Sequence, residues 1–231
     1  MNYFEYRDVR PDDYATPRVP AYLARQLARK REPAILDFGC GLGQLLVALK
    51  SAGFNALEGL DVDPRAIAQC RALGFTCHDG AANGPAFYEH HHGRYDFVIM
   101  SHVLEHFPKE LIIEQLARIK QLLKEDGALI VMVPNAQSAT GAYWAYEDFT
   151  HNLLFTSGSL RYVLRAAGFS RVDFLDPWCV EGLSLAKRWI RLALLALYRA
   201  NYRFWNRVTA SAVHAASPVL LSYEIKAIAR A

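Results

Sequence analysis

The chain has 231 residues, enough for one α/β domain with a full core and short of two. Apolar residues make up 52% and charged residues 21%, which excludes a disordered chain. A net charge of +3 argues against a uniformly basic nucleic-acid binder, and no run of about 20 apolar residues is there to span a bilayer.

The opening residues MNYFEYRDVRPDD carry charge within five positions and no apolar stretch, so no signal peptide is predicted and a cytoplasmic location is expected. This segment holds Tyr3, Tyr6 and Tyr14, and with a helix over 20–30 it reads as a lid spanning 1–30. Strand 34–38 is followed by a glycine-rich turn and a helix bearing Leu45, Leu46, Ala48 and Leu49. After strand 56–61, Asp63 caps a helix that has Pro64 at its first position and Gly74 as its stop. A short strand at 75–77 and a loop lead to strand 95–100. The loop includes His90, His91 and His92, whose side chains point in different directions and suit a solvated turn better than a metal site. A helix over 109–124 sets Ile112, Leu116, Ile119 and Leu123 on one face, ahead of strand 128–133 closed by Pro134. A helix near 157–167 stops at Gly168, and strands follow near 171–175 and 222–229. The alternation predicts a parallel sheet within a single domain, 1–231. Cys40, Cys70, Cys77 and Cys179 form no CxxC pair and read as reduced and mostly buried.

ILDFGCGLGQLL (35–46) places Gly39, Gly41 and Gly43 directly after a strand and before a helix. Backbone without a Cβ admits close approach of a ligand, and free N–H groups at the helix start favour an anionic one. A dinucleotide fingerprint would need glycine at position 44, where Gln44 stands, so the spacing disfavours NAD. Asp61 at the end of the second strand sits where a carboxylate accepts both hydroxyls of a ribose. The plainer alternative is a tight turn with Asp61 as a cap.

These residues resemble the class I S-adenosylmethionine-dependent methyltransferases over about 30–175 and the final strand. The family's acid-x-GxGxG pattern is met by Asp37, Gly39, Gly41 and Gly43, and its ribose-binding acid falls on Asp61. Its adenine-contacting segment falls on Cys77, His78 and Asp79, of which Asp79 is the expected contact. Its fourth-strand signature is YDFVIMSHVLEHF (95–107), with Ser101 as a further cofactor contact. The block DFTHNLLFTSGSLRYVLRAAGF (148–169) is similar to small bacterial enzymes encoded with surface-polysaccharide genes. The resemblance implies a Rossmann-like seven-stranded sheet with helices on both faces, ending in an antiparallel strand over 222–231.

SHVLEHF brings His102, Glu105 and His106 to positions i, i+3 and i+4, one side of a helical turn, and His151 follows in the next loop. The set resembles the divalent-metal sites of ubiquinone-biosynthesis O-methyltransferases and small-RNA 2′-O-methyltransferases. His102 departs from their pattern by replacing the first acid. Imidazole ligands suit Mn²⁺, Fe²⁺ or Zn²⁺ better than Mg²⁺. Three readings stand: a metal site of His102, Glu105, His106 and His151; a metal-free base at His106 or His151 assisted by Glu105; or histidines that shape the pocket through backbone hydrogen bonds. Tyr143, Trp144 and Tyr146 either stack on a sugar or pack a lid.

From Gly182 to Tyr223 there is no Asp or Glu but six cations, Lys187, Arg188, Arg191, Arg199, Arg203 and Arg207. The segment therefore carries +6 and the remaining 189 residues −3. Residues 182–218 read as a basic, aromatic helical insertion before the last strand. It suits a helical pair packed on the domain, a homodimer contact, or docking at the inner membrane surface; RNA is the weakest fit. The expected activity is methyl transfer from S-adenosylmethionine to a sugar oxygen of a surface glycan or its precursor, lipid-linked or free. The rivals are O- or N-methylation of a small metabolite such as a phenol, a non-catalytic cofactor-binding or membrane adaptor, and an NAD oxidoreductase.

Overall fold

The computed structural model describes residues 18–211, 214 and 217–231. Tyr3, Tyr6 and Tyr14, with the first 17 residues of the expected lid, lie outside the described residues. The elements in chain order are α1 (Ala21–Leu27), β1 (Ile35–Phe38), α2 (Gln44–Ser51), β2 (Leu57–Asp61), α3 (Pro64–Ala72), β3 (Thr76–Asp79) and α4 (Gly80–His90). They continue as β4 (Tyr95–Ser101), α5 (Ile112–Leu122), β5 (Leu123–Pro134), α6 (Gly141–Glu147), α7 (Ser157–Ala166), β6 (Arg171–Phe174), α8 (Leu185–Val208) and β7 (Glu224–Arg230).

The seven strands form one sheet in the order β3-β2-β1-β4-β5-β7-β6. Every pairing from β3 to β5 is parallel, and β7 runs antiparallel to both β5 and β6. Successive strand residues face opposite sides, and both sides are covered, which is why β1, β4 and β5 read as continuous apolar runs. Leu36, Val98 and Val131 pack beneath Leu116 of α5 and Leu160 of α7. Ile35, Ile99 and Ile130 pack beneath Leu23 of α1 and Leu46 of α2.

Local chemistry sets several boundaries. Asp63 accepts a hydrogen bond from the Arg65 N–H and Pro64 opens α3, as the sequence predicts. The Thr156 hydroxyl and Ser159 cap α7 reciprocally. Three expectations are corrected. Residues 80–90 are a helix and not a loop; Gly84 at φ 41° kinks it, and Gly80 and Pro85 disguise it in the sequence. The helix expected over 109–124 is Ile112–Leu122, burying Ile112, Leu116, Ile119 and Leu122, while Leu123 opens β5. Within the basic insertion, the described residues form one 24-residue helix and not a helical pair.

Candidate functional site

The sheet order sets the carboxyl ends of β3, β2, β1 and β4 side by side, the edge where open α/β sheets bind ligands. Asp79, Asp61, the glycine loop and Ser101 stand along that edge, each at its own strand end. Gly39, Gly41 and Gly43 all have positive φ, at 78°, 52° and 88°. At Gly39 the demand is also spatial, because an added Cβ would lie 2.4 Å from Val103 Cγ2.

The glycine N–H groups themselves are engaged within the protein. Gly39 and Cys40 donate to the Leu60 carbonyl, Gly43 to the Cys40 carbonyl, and Gly41 to Asp61 Oδ2 at 2.8 Å. These bonds hold the loop rigid. The anion-attracting feature is the start of α2, which has no side-chain cap behind Gly43. Asp61 Oδ1 accepts from the Val62 and Asp63 N–H groups, which fixes the carboxylate against the loop. Burial, and then the neighbouring Asp61, push the Asp37 carboxyl up to about 7.

Beneath the loop, Cys40 Sγ lies 3.6 Å from both Cys70 Sγ and Cys77 Sγ. Glycine at position 59 makes this possible, since a Cβ there would come within 2.8 Å of Cys40 Sγ. Cys40, Cys70 and Cys77 are buried as free thiols and Cys179 is half-buried. Cys77 thus faces the interior, His78 Nε2 bonds Glu58 at 2.7 Å, and Asp79 alone of that segment ends its strand at the ligand edge. Asp79 Oδ1 also caps α4 through the Ala81 and Ala82 N–H groups. Of the consecutive histidines, His90 is exposed, whereas His91 stacks on Phe87 with ring centroids 4.2 Å apart. His91 thus departs from the solvated turn expected of all three, and its ring nitrogen lies within 4.8 Å of ligand atoms of Glu58 and His78.

A 3-10 turn, Leu104–His106, follows β4 and carries Glu105 and His106, while His151 comes from the loop after α6. Ligand atoms of Glu105, His106 and His151 all lie within 4.8 Å of one another. Glu105 is fully buried, and neither of its carboxylate oxygens makes a hydrogen bond. His106 Nδ1 lies 2.8 Å from Thr150 Oγ1, and that hydroxyl donates to Asp148 Oδ1 at 2.6 Å. The chain fixes the His106 proton on Nδ1 and leaves a lone pair on Nε2. His151 Nδ1 similarly lies 2.6 Å from the Trp144 carbonyl, setting Nε2 3.9 Å from Glu105 Oε1. Burial keeps the His106 pKa below the ordinary histidine value against the pull of Glu105.

His102 departs from the expected four-ligand set. It has φ 54°, and its ring is placed with Nδ1 3.3 Å from Glu105 Oε1 and Nε2 3.2 Å from Glu224 Oε2. Burial opposes the charged form, but the two carboxylates outweigh it and raise the pKa to about 9. The ring thus lies between two carboxylates, and the cluster formed by Glu105, His106 and His151 does not include it. Glu224, Asp148 and Thr150 are site residues that sequence reasoning did not single out. Asp148 and Thr150 were visible as the D-x-T-H spacing; Glu224, 122 positions from His102, left no local signal.

A cavity of about 380 Å³ adjoins His151, lined also by Gly141, Ala145, Tyr146 and Asn152. Tyr143 and Tyr146 are exposed on α6, and Trp144 packs against Tyr223.

The family described as "Methyltransferase domain" matches residues 7–173. A curated ribosomal protein L11 methyltransferase from Paraburkholderia phytofirmans is 42% identical over 40 residues, which is 17% of this chain and 13% of that enzyme. A SAM-dependent methyltransferase from Archaeoglobus fulgidus superposes with a TM-score of 0.65 at 21% identity, covering 99% of this chain and 97% of its own. A 1,6-didemethyltoxoflavin-N1-methyltransferase from Burkholderia thailandensis, solved with S-adenosylhomocysteine, gives 0.55 at 19% identity, covering 99% and 83%. These structural likenesses establish the fold.

Proposed function

The chain belongs to the methyltransferase-domain family, and we propose that it moves a methyl group from S-adenosylmethionine to an oxygen of a sugar in a surface glycan or its precursor. The observation that carries oxygen transfer is the Asp148–Thr150–His106 chain beside Glu105, on the same sheet edge as the glycine loop. The sulfonium is already activated, so the protein must align the acceptor, exclude water and remove one proton. The glycine loop, Asp61, Asp79 and Ser101 hold the donor. His106 Nε2 takes the hydroxyl proton as the oxygen attacks the methyl carbon. The carbon–sulfur bond breaks with its electrons on sulfur, and S-adenosylhomocysteine leaves. Glu105 stabilises the imidazolium formed, and His151 flanks the acceptor.

The exposed rings of Tyr143 and Tyr146, beside a cavity of about 380 Å³, support a sugar, and the same volume accommodates a phenol. The likeness of 148–169 to polysaccharide-cluster enzymes favours the glycan. A second reading rests on the Glu105 oxygens, which make no hydrogen bond among the described residues: with ring nitrogens of His106 and His151 they fit Mn²⁺, Fe²⁺ or Zn²⁺. Such an ion would polarise the acceptor oxygen and lower its pKa.

Methyl-labelled S-adenosylmethionine, incubated with the protein and extract from its source with and without chelator, tests both. Label in polysaccharide or lipid-linked sugar is expected. Label confined to small soluble molecules overturns the glycan acceptor. Loss of label with chelator assigns the ion.

A further inference from the structure

Over its 24 residues, α8 contains no buried side chain. One face is set against the domain: Leu192, Leu195, Tyr198 and Tyr202 are half-buried, and the Arg199 guanidinium lies 4.2 Å from the Trp178 ring centroid. On the opposite face Ile190, Leu194, Leu197, Phe204 and Val208 recur at helical spacing, each more than half exposed. Nothing among the described residues covers this stripe, and an apolar stripe of this length marks an interaction surface.

We propose that this face docks α8 flat onto an anionic phospholipid surface, its apolar stripe entering the headgroup boundary and its cations meeting lipid phosphates. Charge selects the occupant. Lys187, Arg191 and Arg207 are exposed beside the stripe, and no acid occurs from Gly182 to Tyr223. A second copy on this face would bring these three cations against their own equivalents with no acid in the segment to pair them. Trp189 and Trp205, both exposed, suit headgroup depth. No helix among the described residues is long and apolar enough to cross a membrane, so α8 lies on the surface. Because β6 ends and β7 begins at the carboxyl edge of the sheet, the insertion leaves and rejoins the domain on the edge that bears the glycine loop. This proposal does not depend on which acceptor is methylated.

The protein is mixed with vesicles of pure phosphatidylcholine, or of phosphatidylcholine with about a third phosphatidylglycerol, and sedimented at two salt concentrations. Expected is binding to the anionic vesicles only, weakening with salt. Leu194→Ser with Leu197→Ser, and separately Arg191→Gln with Arg207→Gln, each lower it about tenfold or more. Unchanged thermal midpoints and S-adenosylhomocysteine affinity show that the variants are folded. No binding to anionic vesicles, or binding that survives the leucine variant, overturns the proposal. A dimer in solution that the leucine variant converts to monomer also overturns it and makes the stripe a contact between copies.

Discussion

The Thr150 hydroxyl stands 2.8 Å from His106 Nδ1, reaching across 44 positions of sequence. Its own proton goes to Asp148, so the hydroxyl receives the histidine proton and turns Nε2 into the basic nitrogen.

Thr150→Val keeps the shape of the side chain and removes that orientation. Turnover is expected to fall about 10–100-fold, the usual effect of losing a group that orients a working histidine. The dissociation constant for S-adenosylhomocysteine is expected to stay within twofold. With His106 as the base, the wild-type rate is expected to fall on the acid side as it protonates, with an apparent pKa below the ordinary histidine value. Steady-state kinetics from pH 5 to 8, with calorimetry for the cofactor, check both; parallel losses of turnover and cofactor affinity refute a catalytic role for His106.

Gly39→Ala attacks the cofactor side. The position needs φ 78° and leaves a Cβ 2.4 Å from Val103. Affinity for S-adenosylhomocysteine should fall about 100-fold or more as the loop leaves Leu60, together with roughly 1–3 kcal/mol of stability. Adding Val103→Ala relieves the clash but not the φ, so recovery should be partial. Calorimetric titration of the single and double variants reads the difference.

The glycine loop and its acid were legible because they are local. Strand, glycines, Asp61 and the Asp63–Pro64 start follow one another within about 30 residues, and each position has a backbone reason for its residue type. The sheet was legible for a related reason, since both faces of β1, β4 and β5 are buried. Helix α4 escaped because Gly80, Gly84 and Pro85 look like loop chemistry, yet Asp79 caps it and Phe87 anchors it in the core. The acid–base half depends on long-range contacts: His102 meets Glu224 only because β7 inserts beside β5, which no local pattern encodes. His102 therefore read as a ligand, whereas the fold surrounds it with carboxylates.

That environment has a pH signature. The folded pKa of His102 is about 9, above the value near 6.5 of an unfolded chain. The fold therefore favours the cation: its stabilisation is complete below pH 6.5 and is lost as pH rises through 9. With the ring 40% exposed, solvent screening reduces the effect to about 1 kcal/mol. Urea unfolding at pH 6 and 9.5 should show a loss of that order in wild type relative to His102→Asn. Equal pH dependence in the two proteins would remove the ion pairs from the account.

Glu105 is fully buried without a hydrogen bond to either carboxylate oxygen, with His102 Nδ1 at 3.3 Å. Burying such a carboxylate carries a desolvation cost. Glu105→Gln preserves shape and removes the charge, and His102 retains Glu224. The thermal midpoint is expected to hold or rise by a few degrees, while turnover falls about 100-fold because imidazolium at His106 loses its counter-charge. Calorimetry with added Mn²⁺ separates the two roles of the carboxylate. A midpoint raised by Mn²⁺ in wild type and not in the variant makes Glu105 a ligand. Identical midpoints with and without Mn²⁺ leave it the electrostatic partner of His106, and a variant that is less stable yet fully active refutes both.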